Sequence, residues 1–237
     1  MIITSLTNPY IKELNELKKN NAKKEKNMFL VDGLDFILLA KQNNLLKEIL
    51  TLSYLEEYQD IKQIIVTKPI LDKLSINKTS SNVIGVCYYP QNKEIKGDKL
   101  LYLDGVQDSG NVGTLIRTAL AFSYSGVILS KDTASIYNDK VISSTKGAIF
   151  SLPIYNDIDL ISLKEKGYEI VSTSLKNAID YKEYHFKNKF VLVLGNEGQG
   201  VKEENLLISD YIVKINMDNI DSLNVGVAGG ILMNEYR

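Results

Sequence analysis

The chain has 237 residues, 44% of them hydrophobic, with 28 basic against 29 acidic side chains and a net charge of −1. That is enough to fill the core of one large α/β unit or of two domains. One cysteine, Cys87, and one histidine, His185, exclude an internal disulfide and a Cys/His zinc cluster. No leader-like segment is seen and no apolar run approaches the roughly 18 residues a membrane span needs. A soluble, cytoplasmic protein without membrane or metal partners is the expectation. The balanced charge does not exclude nucleic acid, because whole-chain counting averages out local patches.

In chain order, a helix is predicted from about Asn8 after a cap-like Thr7, a strand at Met28 to Val31, and a helix from Leu34. Strands follow near Glu48 to Leu52, Gln63 to Thr67 and the β-branched run Val83 to Tyr89. Within the first thirty residues Lys18, Lys19, Lys23, Lys24 and Lys26 crowd together. Such a cluster is either a phosphate contact or a solvated helix end. Cys87, inside a strand-like run, reads as a small buried apolar residue. His185, flanked by Tyr184 and Phe186, reads as a packing or surface residue. Residues 1–90 thus form a smaller α/β domain, and the polar stretch 91–98 reads as a linker.

From residue 99 to 237 the pattern alternates again: a strand at Leu100 to Leu103, a helix from about Val112 to Phe122, and a strand at Gly126 to Leu129. Further strands are predicted at Tyr168 to Ser172, Phe190 to Leu194 and Tyr211 to Ile215. Alternation of this kind makes a parallel sheet with helices on both faces, whose ligands sit beyond the carboxyl ends of the strands.

Three loops follow predicted strands. The first, Asp104 to Arg117, contains Gly110 and Gly113, only part of a dinucleotide fingerprint. In the second, Leu194 to Lys202, glycines surround Glu197, and Val201 stands where a phosphate-cradling P-loop needs lysine. Such a backbone bends tightly and can approach a ligand closely. The third runs from Ile215 into a helix that Ser222 can cap. Gly226, Gly229 and Gly230 would each cost that helix about 1 kcal/mol relative to alanine, which implies close packing by a ligand, an element or a second subunit. Arg117 is one of only two arginines, the other being Arg237. Where lysine otherwise serves, an arginine points to a need for the planar, bidentate guanidinium, as for RNA phosphate or a structural carboxylate.

These loops, in this order, resemble the motifs of the SpoU (TrmH-like) branch of the SPOUT RNA methyltransferases. The likeness lies in an Asp, Asn-x-Gly, Arg pattern, then Gly-x-Glu-Gly-x-Gly, then Ser-Leu-Asn-Val, and it extends over essentially the whole chain. Thr4 to Lys12 and Phe29 to Gly33 also resemble the RNA-binding N-terminal domain of the members that act on ribosomal RNA. The resemblance implies a homodimer, a deep trefoil knot in the second domain, and methyl transfer from S-adenosylmethionine to a ribose 2′-hydroxyl of structured RNA, with rRNA favoured. Transfer to tRNA or to a base, and a non-catalytic ribosome-assembly role, are the alternatives. Carried over by position, Asn111, Arg117, Glu197, Ser222 and Asn224 are the catalytic set. Gly195, Asn196, Ile215, Met217, Leu223 and Asn224 are the cofactor set. Ser109, Asn216 and Gly226 depart from residues common in the family.

Overall fold

The computed structural model describes residues 2–77, 81–91, 94–186 and 189–237. The elements are β1 (Ile2–Ile3), α1 (Pro9–Glu16), α2 (Asn20–Lys26), β2 (Met28–Asp32), α3 (Leu34–Gln42), β3 (Leu46–Thr51), β4 (Lys62–Val66), α4 (Lys68–Leu74) and β5 (Val83–Tyr88). After them come β6 (Lys99–Asp104), α5 (Ser109–Ala121), β7 (Gly126–Leu129), α6 (Asp139–Ser144), β8 (Ile154–Asn156), α7 (Leu160–Glu165) and β9 (Glu169–Thr173). The chain closes with β10 (Ile179–Asp180), β11 (Phe190–Gly195), α8 (Glu203–Leu207), β12 (Tyr211–Lys214) and α9 (Val225–Glu235).

Two compact units result, Met1–Gln91 with Ile136–Ser151, and Asn92–Ser135 with Leu152–Arg237. The sequence reading ran the second domain unbroken from residue 99, whereas the segment Ile136–Ser151 packs with the first unit. Apolar contact accounts for this: Phe150 stacks on Phe29 with ring centroids 5.6 Å apart and meets Phe36 edge-on, while Tyr137 packs on Tyr89. Of the expected linker 91–98, residues 92 and 93 lie outside the described residues.

In the first unit the sheet order is β1-β4-β3-β5-β2, with β5 antiparallel to both neighbours. Helix α1 opens one residue later than predicted, because Asn8 rather than Thr7 is its cap: the Asn8 side chain accepts from Tyr10 N, and Pro9 fills the first helical position. Cys87 is fully buried, as its apolar neighbours imply. Helix α2 has no apolar face that a hydrophobic period could reveal. Its anchor is Lys23, which is fully buried and donates to Asp139 and to the Tyr137 carbonyl at 2.8 Å.

The second unit is built on a wholly parallel seven-stranded sheet, β10-β12-β9-β11-β6-β7-β8. All six residues of β11 are buried, and so are all but the first of β6. These continuous apolar runs are what the centre of a parallel sheet requires. Chain direction across the sheet reverses at β6, which has β7 on one side and β11 on the other. Asp104 and Gly195, the last residues of β6 and β11, are register partners. The loops that follow them therefore emerge side by side at the switch point, where open α/β sheets bind ligands.

Candidate active site

Helix α5 begins where Asp108 caps it, its carboxylate accepting from Asn111 N at 2.8 Å. Asn111 thus stands in the first turn, beside the loop that follows β11. That loop closes on itself through reciprocal backbone hydrogen bonds between Asn196 and Gly200, of 3.0 and 2.9 Å. A side chain on Gly195 would put its Cβ 2.0 Å from the Gly200 carbonyl carbon, so the turn tolerates only glycine there. The Asn196 side chain fastens the turn from within. It accepts from Gly198 N and Gln199 N at 2.9 and 3.0 Å and donates to the Gly105 carbonyl at 2.8 Å.

From the tip of this turn Glu197 reaches across to the first loop. Its carboxylate accepts from Gln107 N and Asp108 N, both at 3.2 Å, and from the Asn111 amide at 3.0 Å. Partial burial pushes its pKa up, but the Asn111 amide and the backbone donors together outweigh burial and hold it below the ordinary glutamate value. The Asn111 oxygen then accepts from the Asn224 amide at 3.2 Å. Asn224 in turn caps α9, accepting from Gly226 N at 2.9 Å and Val227 N at 3.3 Å. One side-chain relay, Glu197–Asn111–Asn224, thereby joins the three motif loops.

The relay corrects one reading. Ser222, expected to cap the last helix, is exposed two residues before the true cap, Asn224. Asn196 and Asn224, which the resemblance assigns to the cofactor, use their side-chain oxygens to hold their own loops. Close packing by the chain itself is found at Gly229, where an added Cβ would lie 2.4 Å from Leu115 and 2.7 Å from Leu194, and at Gly226, where it would lie 3.0 Å from the Asn224 side-chain oxygen; among the described residues nothing lies within 4 Å of the same atom at Gly230. Arg117 is exposed on α5, six residues beyond Asn111 and outside the relay. Ile215 and Met217, at the start of the third loop, and Leu223, at its end, are half-buried.

Among the expected RNA-contacting lysines, Lys23 is excluded by burial and by its ion pair with Asp139. Lys19 and Lys26 are paired with Glu16 and Glu13 at 2.6 and 2.7 Å. Lys24 is exposed and Lys18 half-exposed. Sequence reasoning missed Asp104, a buried carboxylate on which the second loop is anchored. The signal available was an acidic residue directly against the apolar run Leu100–Leu103.

A parallel sheet with polar, glycine-bent loops tied together at its switch point is the architecture of a ligand-binding α/β protein. Residues 98–234, more than half of the chain, match the model of the SpoU rRNA Methylase family, and the chain belongs to that family of S-adenosylmethionine-dependent RNA methyltransferases. It is 30% identical over 246 residues to the 23S rRNA (guanosine(2553)-2′-O)-methyltransferase RlmP of Bacillus subtilis (strain 168), covering 99% of this chain and 98% of that protein. The AdoMet-bound rRNA methyltransferase from Sinorhizobium meliloti matches with a TM-score of 0.87 at 25% identity, over 99% of this chain and 96% of the other. The SpoU methyltransferase AviRb from Streptomyces viridochromogenes, in complex with AdoMet, shares the fold with a TM-score of 0.85 at 22% identity over 96% of each chain. The residues present fit such a cofactor. The loop after β11 offers a bent backbone rather than a charged side chain, and half-buried Ile215, Met217 and Leu223 offer apolar surface for a nucleoside.

Proposed function

We propose that this protein transfers a methyl group to a ribose 2′-hydroxyl of ribosomal RNA, acting in the cytoplasm as a homodimer. The observation that carries this reading is the Glu197–Asn111–Asn224 relay, which joins three separate motif loops at the switch point, with Arg117 on the same helix as Asn111. The rRNA assignment is supported by the full-length similarity to the Bacillus protein. The homodimer, with the knotted threading that the family resemblance implies, is supported by apolar surface on α5 and α9, where Leu120 and Val227 are 38% and 52% exposed. The first unit is the RNA-docking part, with Lys18, Lys19, Lys24 and Lys26 facing phosphate.

The bound cofactor supplies a methyl group on a sulfonium, and transfer is an in-line displacement, so the protein's task is alignment. Gly195 and the backbone of the loop that follows it, with Ile215, Met217 and Leu223, hold the nucleoside. Arg117 orients a phosphate of the RNA and stabilises the oxygen as it develops charge. A guanidinium stays protonated up to a pH of about 12, so Arg117 accepts no proton and the hydroxyl proton leaves through water or Ser222. Glu197 is poorly suited to act as a general base, since three N–H donors stabilise its carboxylate and lower its affinity for a proton.

The test is transfer of labelled methyl to unmodified rRNA and, separately, to bulk tRNA, with Asn111→Ala and Arg117→Ala as controls. Label on rRNA ribose that both substitutions abolish is the expected result. Label confined to tRNA would overturn the substrate. Cofactor binding without transfer to either RNA would favour an assembly factor that retains the fold.

A further inference from the structure

Of the buried acids Asp32, Glu48, Asp104 and Glu169, none of which the mechanism uses, Asp104 lies beside the site. Asp104 ends β6 at 1% exposure, in register with Gly195 at the end of β11. One of its oxygens, Oδ2, accepts from Lys202 N and from the Asn205 side-chain amide, both at 2.8 Å. Among the described residues the other, Oδ1, is buried without a hydrogen bond, and its ion-pair partner is Lys202 Nζ at 3.9 Å, itself drawn to Asp132 at 2.7 Å. Removing a carboxylate from water and leaving one oxygen unmet is costly, and packing alone would favour an apolar residue here.

What the carboxylate accomplishes is geometric. The turn after β11 is closed at its near end by the Asn196–Gly200 bonds, but these do not say where the chain beyond Gly200 goes. Asp104 captures it two residues later, at Lys202, and again at Asn205 on α8. The turn is thereby pinned to the end of the neighbouring strand, and Glu197 at its tip is held within reach of Gln107, Asp108 and Asn111.

We propose that Asp104 is a positioning residue for methyl transfer, acting through Lys202 and Asn205 to fix the Gly195–Lys202 loop in its cofactor-binding form. This rests on the reading of that loop as the cofactor site, so the experiment separates the two. Hydrogen exchange of the wild-type enzyme with and without S-adenosylmethionine tests the site itself: protection of the amides of residues 196–202 is expected, and its absence would overturn the site reading. Cofactor affinity, measured by calorimetry in variants, tests Asp104. Asp104→Ala is expected to weaken S-adenosylmethionine binding about tenfold or more, the scale of a lost pair of charge-assisted hydrogen bonds, while RNA affinity changes less than about twofold. Asp104→Asn keeps an acceptor for both donors and places an amide where Oδ1 is unmet, so it should bind within about threefold of wild type. A folded Asp104→Ala that binds the cofactor normally, or an Asp104→Asn as weak as the alanine, would overturn the proposal. Should Asp104→Ala fail to fold, Asn205→Ala decides: it retains the carboxylate, and weaker cofactor binding supports the proposal while unchanged binding overturns it.

Discussion

Glu197 shows how a residue's neighbours decide its role. A carboxylate offers only acceptors, and this one meets two backbone N–H groups and an amide. Glu197→Gln keeps one oxygen but turns an NH2 toward an N–H it formerly accepted, so methyl transfer should fall roughly 10- to 100-fold, the kinetic equivalent of a lost charge-assisted bond. Single-turnover rates with saturating RNA would check this. The pH dependence has a definite sign. Because the folded pKa is depressed, the stabilisation is complete above the unfolded value and is lost as pH falls through the folded one. The melting-temperature difference between wild type and Glu197→Gln should therefore stay constant above about pH 5.5 and shrink below about pH 4. Arg117 is tested by charge without shape: Arg117→Lys should lower kcat about tenfold or more with cofactor affinity unchanged, because an ammonium cannot make the bidentate contact. Near-normal activity would remove the guanidinium from the mechanism.

At the scale of elements, helix α9 separates two kinds of glycine that look alike in the sequence. At Gly229 a methyl group collides with Leu115 and Leu194 inside the second unit, and at Gly230 it meets nothing. Gly229→Ala should destabilise the protein by about 1–3 kcal/mol through overpacking. Gly230→Ala should leave stability unchanged or raise it by up to about 1 kcal/mol through helix propensity. Chemical denaturation of both variants would read the contrast. The same distinction explains what was legible beforehand. Strands such as β6, β7 and β11 were readable because unbroken apolar runs have few other homes, and α5 because apolar residues recur at helical spacing from Val112 to Ala119. Helix α2 was not, since Asn20–Lys26 carries a single buried side chain and that one is Lys23. The short α6, α7 and α8 were also unresolved, being five or six residues long and held by tertiary contact more than by local pattern. The site residues were legible through family motifs, but their partners were not. The sequence places Glu197 and Asn111 eighty-six positions apart, and only the register of β6 with β11 makes them neighbours.

For the whole molecule, the apolar surface that α5 and α9 leave open bears on assembly. These helices pack on each other through Gly229 and Leu115, yet Val227 and Leu120 remain 52% and 38% exposed. Isolated apolar side chains on a surface are ordinary, but exposed bulky residues on two adjoining helices suit a self-complementary contact. An isologous interface repeats every change twice, so one charge placed there meets its own copy or lies unpaired in apolar surroundings. Val227→Asp should therefore convert a dimer in sedimentation analysis to a monomer of about half the mass. Val227 lies three residues from Asn224, so a monomer that also loses methyl transfer would show that the interface supports the relay. A monomer that keeps full activity would confine the contact to assembly, and a wild-type protein that sediments as a monomer would remove the homodimer altogether.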